Sequence, residues 1–255
     1  MKTFLVPIRS LREKKSTMIY AINLASQVGV EKIYGIQLDE IKEDDHLESM
    51  IALAEEKDIE LNFRPIDGNP VEYINEFCES FHVDLVITSS RIPKTNDKLF
   101  LDRLSGSIIR KTALDVLLVP DDYKFKHIDT VLTVIKSGVV KKNGILKPLT
   151  QVLEAFDARM TLLQVKTPKF LDEDLMFDKD LAALTSRYFS TENATVFQGV
   201  LEYMHKVNPD MICVFRRKRG FFKKLWSNTL NDNSIKRSDF ESRVPLLVLK
   251  EEQVS

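Results

Sequence analysis

Ser89, Ser90 and Arg91 close the apolar run "DLVITSSR" (Asp84 to Arg91), so two hydroxyls and a guanidinium stand where a buried strand would end. Hydroxyls donate to and accept from oxyanions, and an arginine fork pairs bidentately with phosphate or carboxylate. Two readings stay open there: a seat for a small anion, or a polar strand end satisfied by its own loop. A second concentration of chemistry is "RRKRGFFKKLW", Arg216 to Trp226, with six basic side chains among three aromatics. Arg216, Arg217 and Lys218 lead it and are candidate anion ligands. The stretch also suits docking to a protein, to nucleic acid or to an anionic membrane surface. Its plain alternative is a short helix that packs the aromatics and leaves the ammonium and guanidinium heads in water. Asn228 and Thr229 follow closely, either beside an anion or simply as helix caps.

Beyond these stretches the chain offers little for catalysis. It has no G-x-S-x-G, H-E-x-x-H or P-loop pattern, and His46, His82, His127 and His205 stand singly. Asp172, Glu173, Asp174 and Asp178 read as the solvated face of a helix. The expectation is a protein without enzymatic activity and without a bound metal. Cys78 and Cys213 lie far apart and read as free, buried thiols. Thirty-seven basic residues offset 38 acidic ones, a net charge of -1 in 255 residues. No overall field steers such a chain to nucleic acid or membrane, so a protein partner, self-association or a small anionic ligand is expected instead. With no export signal and no 18-residue apolar run, the expected location is the cytoplasm.

The elements that must hold these groups come in two matching series. "TFLVPIRS" (Thr3 to Ser10) matches "TVLTVIKS" (Thr130 to Ser137), "VDLVITSSR" matches "PDMICVFRR", and "LDVLLVP" matches "RVPLLVLK". Between the first pair and the second, each half runs through a helical pattern and a short strand ("KIYGIQL", "MTLLQV"). A second helix is expected over His46 to Lys57 and Asp172 to Phe189. A third strand is expected in "IELNFRPIDG" and "ATVFQG", and an amphipathic helix over Val71 to Phe81 and Val200 to Val207. Nearly continuous apolar strands alternating with helices predict parallel sheets covered on both faces. The fold class is therefore α/β, two tandem doubly wound domains over residues 1–122 and 128–255, parted by the charged segment Asp121 to His127.

These repeated strands, with "SGSIIRKTALDVLLVP", make the chain resemble a tandem pair of universal stress protein domains. The resemblance implies a five-stranded parallel sheet per domain, order 3-2-1-4-5, with a ligand crevice at the carboxyl ends of strands 1 and 4. Pro7, Arg9 and Leu38 in the first half, and Lys136 and Val165 in the second, then join Ser89, Ser90 and Arg91 as candidate lining. ATP-binding members carry G-x2-G-x9-G-[ST] after strand 4 and an aspartate at the end of strand 1. In the first half those positions hold Ser89, Ile92, Asp102 and Arg103, with Arg9 for the aspartate. In the second, counting forward from Asp210 puts Phe215, Lys218, Asn228 and Thr229 there, with Lys136 for the aspartate, while counting back from Pro245 falls nearer Asp232 and Asn233, so this loop is longer by a few residues. No cofactor is therefore assigned. The resemblance points to a non-catalytic stress-response accessory protein with degenerate nucleotide sites. ATP or AMP bound at a modified second-half site is the alternative.

Overall fold

Short runs rich in Val, Ile and Leu, the Val and Ile stiff at their β-branch, make most of the strands of the first half, while β3 reads ELNFRP. These are β1 (Thr3–Ile8), β2 (Lys32–Gln37), β3 (Glu60–Pro65), β4 (Leu85–Ser90) and β5 (Val116–Pro120). Between them lie α1 (Leu11–Val28), α2 (Asp45–Glu56), α3 (Pro70–Ser80) and α4 (Arg103–Lys111). The second half contains β6 (Thr130–Ile135), α5 (Lys147–Phe156), β7 (Arg159–Lys166) and a 3-10 turn (Asp172–Leu175). It continues with α6 (Lys179–Leu184), β8 (Thr185–Glu192), α7 (Val196–Val207), β9 (Met211–Arg216) and β10 (Leu246–Lys250). The structure is a computed structural model that describes residues 1–8, 11–38, 45–90, 103–140, 144–168, 170–216 and 244–251.

The chain divides into two units, Met1–Lys126 and His127–Ser255. The division falls inside the charged segment that the sequence marks, but that segment is not simply solvated. Tyr123 and Phe125 lie against Tyr20 of α1, ring centroids 6.0 and 5.2 Å apart, while Ile128 is buried in the second unit.

In the first unit all pairings are parallel, in the order β3-β2-β1-β4-β5. The second unit has the same plan, β8-β7-β6-β9-β10, again parallel throughout. Right-handed crossovers on this order put the helices before and after the first strand's reversal point on opposite faces. In agreement, α1 packs with α2, and α3 packs with α4. The central strands carry the cores: Phe4, Leu5, Val6 and Ile8 in β1, and Val131, Leu132, Val134 and Ile135 in β6, are buried. Each such side chain contributes about 1.5–3 kcal/mol over leaving it in water.

One stretch departs from the sequence reading. The expected helix over Asp172 to Phe189 is instead the 3-10 turn, the short α6 and the first half of β8. The expected strand "ATVFQG" opens α7, whose N-cap Thr195 accepts a hydrogen bond from the Gln198 amide at 3.2 Å. The strand lies earlier because Tyr188, Phe189 and Thr191 are β-formers paired in register with β7, with Thr185 paired to Met160 across a one-residue register shift. Most of β8 is exposed, so it lacks the apolar alternation by which a half-buried strand is recognised.

Candidate functional site

In both units the strand order reverses beside the first strand, and ligands of open α/β sheets bind at the carboxyl edge there. In the first unit that edge is formed by β1 and β4. Ser89 is buried in β4, and its hydroxyl has no hydrogen-bond partner among the described residues. Its carbonyl accepts from the buried Ser105 hydroxyl of α4 at 3.1 Å. Ser105 spends its single proton there, so the Thr88 hydroxyl, 2.9 Å away, donates to Ser105. These hydroxyls fasten α4 to the end of β4. Pro7 is buried within β1, and Leu38 follows β2, its amide donating to the Ile8 carbonyl at 2.8 Å. Ser90 ends β4. Arg9, Arg91, Ile92 and Asp102 lie outside the described residues.

At the second unit's edge the described residues form a network around Lys136. Lys136 follows β6, and its ammonium stands 3.1 Å from a carboxylate oxygen of Asp174. The segment Leu171–Asp178 crosses the end of β6 as a strap. Asp174 closes its turn by accepting from the Leu171 amide at 2.9 Å. The strap's backbone bonds Gly138 on both sides: the Gly138 amide donates to the Asp174 carbonyl at 3.2 Å, and the Asp178 amide to the Gly138 carbonyl at 3.0 Å. A β-carbon at residue 138 would stand 2.5 Å from the Met176 carbonyl oxygen, so only glycine admits this approach.

Beneath the strap, the buried Gln164 of β7 donates to the carbonyls of Asp174 at 2.7 Å and Lys136 at 3.3 Å. Its own amide oxygen accepts from the Tyr188 hydroxyl at 2.7 Å. Phe177 packs edge-on to Tyr188, ring centroids 5.5 Å apart. The Asp174 side chain is 15% exposed. Partial burial pushes its carboxyl up, but the Leu171 amide, the Lys136 ammonium and the Ser137 hydroxyl outweigh that and hold it below the usual carboxylate range.

Asp174 therefore does not belong to a solvated helix face; it turns inward and neutralises the lysine expected to receive an anion. Sequence reasoning missed this pairing because 38 residues separate the partners, although Gln164, an amide among the apolar residues of "MTLLQV", was a visible signal. Val165 is fully buried against Gly199 of α7. Arg216 ends β9 and is buried, its carbonyl accepting from the Glu251 amide at 3.3 Å. Arg217, Lys218, Asn228 and Thr229, with the rest of the basic aromatic stretch, lie outside the described residues.

Elsewhere, Cys78 and Cys213 are buried thiols outside any disulfide, and burial, with Glu79 nearby, pushes the Cys78 thiol up to about 12, which leaves it unreactive at neutral pH. Among the described residues, no group of three or more His, Cys, Asp or Glu is placed to hold a metal ion. No helix among them is long and apolar enough to cross a membrane.

The universal stress protein family model matches residues 3–120, from the first residue of β1 to the last of β5. The chain is similar in structure to a universal stress protein from Archaeoglobus fulgidus DSM 4304, at 17% identity and a TM-score of 0.66 over 99% of this chain and 97% of that one. A functionally unknown protein from Pseudomonas aeruginosa PAO1 is 13% identical, with a TM-score of 0.60 over 98% and 92%. The cytoplasmic domain of a prokaryotic cation chloride cotransporter is 11% identical, with a TM-score of 0.53 over 98% and 95%. At these identities the likeness is one of fold. No curated protein matches the chain.

Proposed function

From the premise that residues 3–120 belong to the universal stress protein family, we propose that the chain is a non-catalytic accessory or regulatory protein of that type, acting in the cytoplasm. Its nucleotide sites are degenerate, and it works through protein contacts or a small anionic ligand. The observation that carries this reading is the Lys136–Asp174 pair, because the second unit spends the Lys136 ammonium at its carboxyl edge on its own carboxylate. A nucleotide's phosphates would have to displace that carboxylate or share the site with it, and two like charges there repel. In the first unit, Ser89 stands at a position that calls for glycine, and the neighbouring hydroxyls of Thr88 and Ser105 are engaged in anchoring α4.

A nucleotide-sensing module is the competing reading, favoured by the six basic residues of Arg216 to Trp226. Thermal-shift titration of the full chain with ATP, ADP and AMP, with and without magnesium, separates the two, since a ligand that binds only the folded state must raise its melting point. The expected result is no saturable rise at millimolar nucleotide. A saturable rise with any one of them would overturn the degenerate-site reading.

A further inference from the structure

The strap over β6 displays a carboxylate held by its own Leu171 amide and by two donors from outside the strap. Lys136 supplies an ammonium at 3.1 Å and Ser137 a hydroxyl hydrogen bond, both from the residues directly after β6. Gln164 and Gly138 grip only the strap's backbone, through the Asp174 carbonyl and the Asp178 amide. The strap is thus held from two sides by backbone bonds, while its one inward carboxylate fills the place of an anion. Its outer side exposes Leu171, Leu175 and Met176, three large hydrophobic side chains within six residues, beside the acids Asp172 and Glu173. Closing the turn accounts for an acid at position 174, which accepts from the Leu171 amide, but it does not require that acid to meet Lys136 or three large apolar side chains to stay in water.

We propose that the end of β6 is a latent oxyanion site, built from Lys136 and Ser137 and kept closed by Asp174 as an internal occupant, so that it admits a carboxylate or phosphate group only when the strap is lifted. This rests on the reading that the second unit's carboxyl edge does not hold a nucleotide. The occupant shows the chemistry that the site takes: a small, singly or doubly charged oxyanion with two oxygens to offer to an ammonium and a hydroxyl. The exposed Leu171, Leu175 and Met176 give a binding partner something to grip in lifting the strap, and a ligand or partner shifts the strap only by its differential affinity for the lifted state.

Chemical rescue tests this on the full chain. Asp174→Ala should melt below wild type, and inorganic phosphate or acetate should restore its melting point saturably, where chloride at equal ionic strength does not. Phosphate acting alone would mark a tetrahedral-anion site, and acetate acting alone a carboxylate site. Binding should be about tenfold or more tighter than to wild type, where the anion must first displace Asp174. The double variant Lys136→Met/Asp174→Ala should show no rescue.

Rescue that persists in the double variant, or a folded Asp174→Ala that responds to neither anion, would overturn the proposal. Should Asp174→Ala fail to fold, hydrogen exchange on wild type decides: phosphate should speed exchange of the Asp178 amide relative to chloride, and unchanged exchange counts against a closed site. A melting-point rise of wild type with ATP would instead strike the nucleotide-free reading, and leaves the comparison between the two variants to stand on its own result.

Discussion

Asp174 changes what Lys136 means. Alone, a lysine at a strand's carboxyl end is an invitation to an anion; paired at 3.1 Å, it is half of a lock. The identity of such residues was legible in the sequence, because ammonium, guanidinium and hydroxyl groups announce their chemistry by type. Their engagement was not, since pairing across 38 residues depends on a strap whose course no local periodicity encodes. The same holds for Ser105, whose bonds to β4 span 16 and 17 residues. The pair carries a pH dependence whose sign follows from its shift. The Asp174 carboxyl lies lower in the folded state than in the unfolded chain, so its contribution is fully present above the ordinary carboxylate range and is lost as pH falls through its folded value. The difference in melting point between wild type and Asp174→Asn should therefore be greatest near neutral pH and shrink towards zero in acid. A difference that stays constant through the carboxylate range would show that the charge on Asp174 does not seat the strap.

Among the elements, what repeats best is a clamp that no strand pattern reveals. Asp84, just before β4, accepts from the amides of Lys2 and Thr3 at 2.5 and 3.1 Å, while its own amide donates to the Thr3 carbonyl. Asp210, just before β9, accepts from the amides of Asp129 and Thr130 at 3.0 and 3.1 Å, and its amide donates to the Thr130 carbonyl. In each unit an aspartate thus ties the fourth strand to the start of the first, fixing the register of the pair that forms the carboxyl edge. The alignment of "VDLVI" with "PDMICV" exposed the aspartate but not its task. Repetition makes equivalence readable, whereas a side chain's partner depends on strand order. β8 was unreadable for another reason: an exposed edge strand has little need of the apolar alternation that marks buried ones. Asp84→Ala and Asp210→Ala should each cost about 1.5–2 kcal/mol, the lower part of the range for hydrogen bonds to a charged group, because both sites are partly open to water. Urea denaturation reads that loss, and a cost near zero for either would show that backbone pairing alone sets the register.

For the whole molecule, near-neutrality is the property that most limits partners. Two units of one plan, each with five parallel strands in the same order, carry 37 basic and 38 acidic residues between them. Affinity for nucleic acid independent of sequence comes from lysine and arginine displacing condensed counterions, and a balanced chain has no field to gather a polyanion from a distance. Any such binding must come from a local patch, and Arg216 to Trp226 is the densest basic run in the sequence. The duplication was legible because two series of strands cannot match in order by accident, yet duplication of plan does not duplicate chemistry: Thr88, Ser89 and Ser105 anchor a helix in one unit, while Lys136 and Asp174 lock a strap in the other. Gel-shift titration with duplex DNA should accordingly show no complex at physiological salt. A weak complex at low salt should vanish when Arg217, Lys218, Arg219, Lys223 and Lys224 are replaced by serine. A complex that survives physiological salt, or that is indifferent to those replacements, would place a polyanion surface elsewhere and make nucleic acid a partner that the balance of charge argues against.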